Sequence, residues 1–188
     1  MITSLCVLLL ATATAAPSVW PQPKEASLGT SALHISPQLR FHGGNDVNTL
    51  RLAYERYATL MFPHPGAVLA RSLPTIRAVD VTVDDPSESY PQLDTDEAYE
   101  LSIGADGTAA LSARTVYGVL RGLETLSQLV IYDFDSSLYS VVGCPLQITD
   151  APRYAHRGIL MDTSRHYQPI RSLERLIDAM SYAKLNGM

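Results

Sequence analysis

The sequence is poor in cysteine and in positive charge, and each shortage excludes a class of protein. Two cysteines cannot build a disulfide scaffold. The 14 Lys and Arg residues are outnumbered by 19 Asp and Glu residues, so the chain lacks the basic surface of a nucleic-acid-binding protein. With 11 Gly and 12 Pro among 188 residues, it is neither collagen-like nor of low complexity. The 46% hydrophobic content is that of a globular protein with one domain, or one domain and part of a second.

The sequence also contains no apolar run of membrane-spanning length. Its main run, Ile2–Ala11, is about half of the roughly 20 residues that a membrane helix needs. Small residues follow, with an Ala-x-Ala site ending at Ala15, so residues 1–15 are predicted to be a secretory signal peptide. An N-terminal membrane anchor and a buried strand are the alternatives. Cleavage would remove Cys6 and leave Cys144 either as a free thiol or without its disulfide partner.

Hydrophobic periodicity predicts an α+β domain over residues 17–150. Apolar residues recur every three or four positions in 46–62 and in 115–131, which predicts two helices, the first capped by Asp46. Pro and Gly residues interrupt 17–45, so one or two short strands are expected there. Alternating apolar residues predict further strands at 76–83, 99–103 and 108–112.

A second, shorter unit is predicted over residues 151–188. Ile159, Leu160 and Met161 form a continuous apolar run, as in a strand buried on both faces of a parallel sheet. After Pro169, apolar residues return at helical spacing. A lone strand and helix cannot bury both faces of the strand, so this unit is expected to be the start of a larger domain.

Three segments carry a resemblance to a known family: Asp96–Ile103, Ala113–Leu129 and Pro152–Tyr167. They resemble the β-N-acetylhexosaminidases of glycoside hydrolase family 20, eukaryotic type, and the similarity continues to Asn186. The resemblance implies an α+β fold with an antiparallel sheet covered by two helices, followed by the first β/α unit of a truncated (β/α)₈ barrel. Only the N-terminal portion of such an enzyme is expected, because the family's second barrel strand, with its His-x-His motif, does not follow Asn186.

The resemblance also implies an activity. The family removes terminal N-acetylglucosamine or N-acetylgalactosamine with retention, and the nucleophile is the 2-acetamido oxygen of the sugar itself. An Asp-Glu pair orients the acetamido group and supplies the general acid/base. That pair lies downstream of the first barrel strand, so no catalytic residue is expected in this chain, which by itself is expected to be inactive.

The implied partners are N-acetylhexosamine-terminated glycans or chitooligosaccharides, with no cofactor, metal, nucleic acid or membrane span. A homodimer is one arrangement implied for the full-length enzyme. Together with the signal peptide, the resemblance implies the secretory pathway, ending outside the cell or in the lysosome or vacuole. A non-catalytic module, acting as a folding aid or as a binder of a partner or a carbohydrate, is the competing interpretation.

Arg165 is the substrate-binding residue that the resemblance implies. It matches the family arginine that holds the 3- and 4-hydroxyls of the sugar, and a planar guanidinium with five donors suits two adjacent hydroxyls. Asp162, at the same strand end, is expected to orient Arg165. The alternative is a purely structural ion pair between the two side chains. His156 and Arg157 precede the strand and are expected to be structural, joining the two domains.

Overall fold

The structure, a computed structural model, describes residues 18–65, 67 and 74–188. The predicted signal peptide and Cys6 lie outside the described residues. The elements are β1 (Glu25–His42), α1 (Asn48–Met61), β2 (Thr75–Asp85), β3 (Tyr99–Ile103), β4 (Ala109–Thr115), α2 (Val116–Leu129), β5 (Val130–Asp133), β6 (Leu138–Asp150) and α3 (Ile170–Tyr182). Over the described residues, none of the helices combines the length and the apolarity needed to cross a membrane.

The strands form one mixed sheet in the order β1-β2-β4-β3-β6-β5, with an additional pairing between β1 and β6. The pairs β1–β2 and β2–β4 are parallel, whereas β6 pairs with its neighbours in antiparallel fashion. The expectation of an antiparallel sheet is therefore wrong for the half of the sheet around β2. The reason is the connection, because α1 lies between β1 and β2, and such a crossover lets two neighbouring strands run in the same direction.

β1 is a single strand of 18 residues, where one or two short strands were expected. Its first part pairs with β6 and its second part with β2. The register shifts after Leu28, next to Gly29, and again after Ile35, next to Pro37. Gly and Pro are tolerated at such irregularities because the ladder of hydrogen bonds is interrupted there. The residues that suggest strand ends in the sequence therefore mark bulges within one strand.

Helices α1 and α2 pack against the sheet and against each other, and each buries one apolar face as its periodicity predicts. Gly118 and Gly122, four positions apart in α2, lie on the face that contacts the strands. A Cβ added at Gly122 would collide with Leu111, and one at Gly118 with the carbonyl of Ala98. The absence of side chains at these two positions lets the helix pack closely against the sheet.

The N-terminus of α1 differs from the prediction. The helix begins at Asn48 with Val47 at the N-cap, so Asp46 is not the capping residue. Instead, the Glu88 carboxylate accepts hydrogen bonds from the backbone N–H (2.6 Å) and the hydroxyl (2.5 Å) of Thr49. A carboxylate at this end of a helix satisfies a free N–H and complements the helix dipole. The cap thus comes from the loop after β2, which only folding brings to α1.

The strand predicted at Ile159–Met161 does not form. One parallel bridge joins Gly158 to Gly187, and the N–H of Ile159 donates to the Gly187 carbonyl over 3.1 Å. A strand buried on both faces needs neighbouring strands and covering layers, and within the described residues this segment has neither. The predicted helix after Pro169 is confirmed as α3, although Met180 is the one residue that it buries.

Candidate functional site

The predicted substrate-binding residue and its predicted partner meet in the loop before α3. The guanidinium Nε of Arg165 lies 2.6 Å from Oδ2 of Asp162. The other carboxylate oxygen, Oδ1, accepts the backbone N–H groups of Ser164 (2.9 Å) and Arg165 (3.1 Å). Asp162 therefore contacts both the backbone of the turn and the side chain of Arg165.

This arrangement leaves much of the arginine available. The Arg165 side chain is 86% exposed, and its two η nitrogens have no hydrogen-bond partner among the described residues. A guanidinium held through Nε can present its η nitrogens as a two-pronged donor to adjacent oxygen atoms. The ion pair with Asp162 is present, and the same pair fits either a positioning role or a purely structural one.

A second polar cluster, absent from the sequence-based prediction, surrounds Glu97. Oε2 of its carboxylate lies 2.5 Å from Nε of Arg121 and 2.6 Å from Nη2 of Arg157. The amide of Asn186 donates to Oε1 over 3.3 Å. Burial by itself raises the pKa of the Glu97 carboxyl, but the two arginines outweigh burial and hold this pKa below its usual range. The cluster is a buried carboxylate shared by two cations.

Arg157 also joins the last part of the chain to itself. Its Nε donates to the Lys184 carbonyl (2.9 Å) and its Nη1 to the Tyr154 carbonyl (2.8 Å). Because Nη2 holds Glu97, just before β3, the residue connects residues 151–188 to the sheet. The structural role predicted for Arg157 agrees with these contacts.

A further buried polar cluster surrounds Lys184, beside the Glu97 cluster. Its ammonium donates to the Thr125 hydroxyl (2.7 Å), the Tyr99 hydroxyl (2.9 Å) and Oδ2 of Asp150 (3.1 Å). Burial is the main cause that lowers the pKa of the Lys184 ammonium, and the Asp150 carboxylate opposes that effect. Three acceptors satisfy the three N–H donors, so the charge remains hydrogen-bonded inside the protein.

A cavity of about 760 Å³ lies next to these two clusters, between the sheet domain and residues 151–157 and 183–185. Exposed aromatic side chains, Trp20 and Tyr154, stand at its edge. Neither Arg165 nor Asp162 lines it. Hydrogen-bond donors without a partner among the described residues therefore occur at two places, the Arg165 turn and this cavity.

Sequence reasoning missed the cavity because nothing local marks it. Glu97 and Arg157 are sixty positions apart, and Asp150 and Lys184 are separated by the whole of α3. Asp162 and Arg165, by contrast, are three residues apart, so a single turn suffices to bring them together.

Among the described residues, the remaining reactive groups form neither a metal site nor an activated cysteine. In residues 18–65, 67 and 74–188, no group of three or more His, Cys, Asp or Glu side chains is placed to hold a metal ion. Cys144 is buried, and burial raises the pKa of its thiol, which is the opposite of what activates a nucleophilic cysteine.

Comparison with known proteins identifies both parts of the chain. A family model described as beta-acetyl hexosaminidase like matches residues 19–129, and a model of the glycosyl hydrolase family 20 catalytic domain matches residues 154–188. The chain is 37% identical to beta-hexosaminidase 1 of Arabidopsis thaliana over 189 aligned residues, which cover 90% of this chain and 35% of that protein. It is 34% identical to the beta-hexosaminidase subunit beta of Mus musculus, with 99% of this chain and 36% of that protein covered.

Solved structures agree in fold. The chitobiase of Flavobacterium johnsoniae superimposes with a TM-score of 0.72 at 24% identity, over 89% of this chain and 26% of that one. An N-acetyl-beta-hexosaminidase of Streptomyces plicatus superimposes with a TM-score of 0.65 at 25% identity, over 89% of this chain and 33% of that one. The chain thus spans about a third of the length of the relatives that it matches.

Proposed function

We propose that this chain, which belongs to glycoside hydrolase family 20, is the N-terminal portion of a β-N-acetylhexosaminidase. The complete enzyme would remove terminal β-linked N-acetylglucosamine or N-acetylgalactosamine from glycans or chitooligosaccharides. The observation that carries the proposal is the order of the matches. A hexosaminidase-like domain over 19–129 is followed by the beginning of a family 20 catalytic domain over 154–188, and the relatives that match the whole chain are beta-hexosaminidases.

The proposed chemistry is the substrate-assisted, retaining hydrolysis of this family. The 2-acetamido oxygen of the sugar attacks the anomeric carbon, an Asp orients the acetamido group, and a Glu protonates the leaving oxygen and then activates water. This Asp-Glu pair belongs to the barrel beyond the first strand. A general acid/base alone contributes about 10²–10⁴-fold to such a rate, so the 188 residues by themselves are proposed to be inactive.

Within this chain, Arg165 is proposed to bind the substrate and Asp162 to position it. The geometry supports both roles, because Asp162 engages Nε and leaves the two η nitrogens without a partner among the described residues. The structural alternative has less to offer, since exposed ion pairs contribute only about 0–1 kcal/mol to stability and Arg165 is 86% exposed. Two η nitrogens can donate to two adjacent hydroxyls of one sugar, which is the recognition that the family arginine performs.

A chimera tests the proposal, with residues 17–188 joined to the remaining barrel of the Arabidopsis thaliana beta-hexosaminidase 1. The chimera should hydrolyse an aryl N-acetyl-β-glucosaminide, whereas the chain alone should not. Arg165→Lys should lower kcat/KM of the chimera by about two to four decades, because two hydrogen bonds to a charged group, each contributing about 1.5–3 kcal/mol, are lost.

Arg171→Lys, an exposed arginine on α3, is the matched control and should leave kcat/KM unchanged. A normal kcat/KM in a folded Arg165→Lys chimera would remove the substrate-binding role of Arg165. A lowered melting temperature with normal kinetics would show that the pair with Asp162 is structural. Turnover by the chain alone, free of host enzyme, would contradict its proposed inactivity.

The competing function, a non-catalytic folding or binding module, is supported by the self-contained apolar core of residues 33–148. It predicts that the chain alone binds a partner or a carbohydrate. It also predicts that residues 154–188 contribute nothing to the hydrolytic activity of a chimera. An active chimera whose activity requires Arg165 would decide in favour of the enzyme.

The proposed site of action is the secretory pathway, with the protein outside the cell or in the lysosome or vacuole. It rests on the predicted signal peptide over residues 1–15. Expression of the chain in eukaryotic cells tests it, and N-terminal sequencing of the secreted product should show that the first 15 residues have been removed. Retention of the intact chain in the cytosol would contradict it.

A further inference from the structure

The cavity beside Glu97 has an excess of positive charge. Five cationic side chains line it: Lys24, Arg121, Arg153, Arg157 and Lys184. Only two carboxylates face them, Glu97 and Asp150. The sign of this local excess is opposite to the formal net charge of the chain, which is −5. Concave surfaces lined by one sign of charge concentrate ligands of the opposite sign.

The contacts show which of these cations are already used. Arg157 donates hydrogen bonds to Glu97 and to backbone carbonyls. Lys184 donates its three hydrogen bonds to Asp150, Tyr99 and Thr125. These two side chains are structural. Glu97 is shared by Arg121 and Arg157, so one lining carboxylate faces two guanidinium groups. The buried Glu124 carboxylate, which does not line the cavity, also acts on the charge of Lys184.

Arg121 is the lining side chain whose guanidinium has hydrogen-bond donors available to a ligand. Its Nε is held by Glu97, and its two η nitrogens have no hydrogen-bond partner among the described residues, although the side chain is only 15% exposed. These nitrogens are not sealed off, because the only buried side-chain nitrogen or oxygen found without a partner in the described residues is Nδ1 of His34. A guanidinium fixed at one end in this way is organised to receive an oxyanion in a two-pronged contact.

Two further cations stand at the exposed rim. The Lys24 ammonium makes no ion pair or hydrogen bond within the described residues, and Arg153 lies over the Tyr154 ring at 5.6 Å. Trp20 completes this edge, and its backbone is fixed by Gln128, which contacts both the N–H (2.7 Å) and the carbonyl (2.9 Å) of Trp20. The rim thus combines exposed positive charge with a tryptophan whose backbone is held by Gln128.

We infer that this cavity binds a small oxyanion, a carboxylate, sulfate or phosphate group, held at the base by the η nitrogens of Arg121 and at the rim by Lys24 and Arg153. The volume of about 760 Å³ accommodates an organic molecule carrying that group, with its carbon skeleton against Trp20 or Tyr154. Burial is the main cause that lowers the pKa of Lys184, the Asp150 and Glu124 carboxylates oppose it, and the charge of Arg121 adds a smaller lowering.

The chain carries its own reporter for this site, because Trp20 is its single tryptophan. Fluorescence of the whole chain is titrated with sodium sulfate, sodium phosphate, glucuronate and glucose, each at constant ionic strength with chloride as the balancing anion. Saturable changes with sulfate, phosphate or glucuronate, and none with glucose, are the expected result. A response to glucuronate at lower concentration than to the inorganic ions identifies the ligand as an organic anion, and the reverse order identifies a free ion.

Three variants assign the binding to the named residues. Arg121→Gln removes the η nitrogens and should weaken binding about 10- to 100-fold, since a hydrogen bond to a charged group is lost. The side chains of Lys24 and Arg153 form no ion pair among the described residues. Lys24→Gln and Arg153→Gln should therefore each weaken oxyanion binding several-fold without changing the melting temperature. Arg77→Gln removes an exposed arginine of β2 that does not line the cavity and should bind as the wild type does.

The inference is overturned by the absence of a saturable change up to about 10 mM of every oxyanion, or by an equal response to glucose. It is also overturned if Arg77→Gln loses as much affinity as Lys24→Gln and Arg153→Gln, because the effect would then reflect net charge alone. None of these measurements involves hydrolysis, so their outcome is independent of the proposed enzymatic function.

Discussion

Residues 25–150 and residues 151–188 differ in how far their apolar side chains are buried. The main buried apolar cluster lies entirely between Leu33 and Ile148. In residues 151–188, all of which the structure describes, Met180 is the one buried apolar side chain. Leu160 is 96% exposed, and Ile170 at the start of α3 is 70% exposed. The first region therefore completes its own core, whereas the second presents an apolar surface to solvent.

Ion pairs and hydrogen bonds join the two regions. Buried pairs connect Arg157 to Glu97 and Lys184 to Asp150, and an exposed pair connects Arg56 on α1 to Asp178 on α3. Buried ion pairs contribute little net stability relative to apolar packing, but loss of one partner leaves a charge without compensation. The amphipathic pattern of α3 shows which face of the helix is suited to burial, but it does not provide the residues that would cover that face. The position of α3 is set by its polar contacts with the first region.

The largest effect is expected from removing the carboxylate at the junction. Glu97→Ala leaves two largely buried arginines without their partner and should cost about 3–5 kcal/mol. Limited proteolysis with mass spectrometry should find the first cuts of the wild type after about residue 150, and much faster cuts there in the variant. Glu100→Ala, on an exposed position of β3, is the control and should digest like the wild type. Equal protection of both regions in the wild type would contradict the comparison.

Two leucines test the contrast in burial directly. Leu123 is fully buried in α2, and Leu123→Ala should lower the free energy of unfolding by about 2–5 kcal/mol, because the substitution leaves a cavity in a packed core. Leu160→Ala should change the free energy of unfolding by no more than about 0.5 kcal/mol, since the side chain is already in water. Urea denaturation followed by circular dichroism measures both. Similar losses at the two positions would show that residues around Leu160 are covered in solution.

Acid should weaken the junction through Glu97. Burial raises the pKa of this carboxyl, but the contacts with Arg157 and Arg121 hold it below its usual range in the folded state. The unfolded chain, with a glutamate pKa of about 4.3, then binds more protons than the folded one as the pH falls below that value. The free energy of unfolding should therefore decrease from about pH 4.3 downwards, through the lowered pKa.

Glu97→Gln removes the titrating group and should show a shallower decrease over this range, whereas Glu100→Gln should keep the slope of the wild type. Thermal unfolding between about pH 3 and pH 6 measures the slopes. A Glu97→Gln slope identical to that of the wild type would show that this carboxylate does not control the acid response.

The smallest effect is expected for the exposed pair between Arg56 and Asp178, whose side chains are 40% and 51% exposed. A double-mutant cycle with Arg56→Ala and Asp178→Ala should give a coupling of about 0.2–1 kcal/mol that decreases at high salt. A coupling as large as that expected for Glu97 would mean that α3 is held mainly from the α1 side.

The sequence by itself determined the features whose signals are local. The helical periods of 46–62 and 115–131 and the strand alternation at 76–83, 99–103 and 108–112 each lie within one element, and each forms an element of the predicted type. The meeting of Asp162 with Arg165 also needs only one turn of chain. Membership of the family was readable as well, because three segments of the sequence carry the resemblance.

The tertiary structure alone decided what depends on residues far apart in the chain. The parallel pairing of β1 with β2, the Glu88 cap on α1, and the cavity beside Glu97 all join segments that no local pattern connects. The strand expected from Ile159 onwards failed for the same reason, because apolarity within three residues cannot provide the neighbouring strands that such a strand requires. Periodicity records which face of an element avoids water, whereas pairing, capping and charge compensation depend on which partners folding brings into contact.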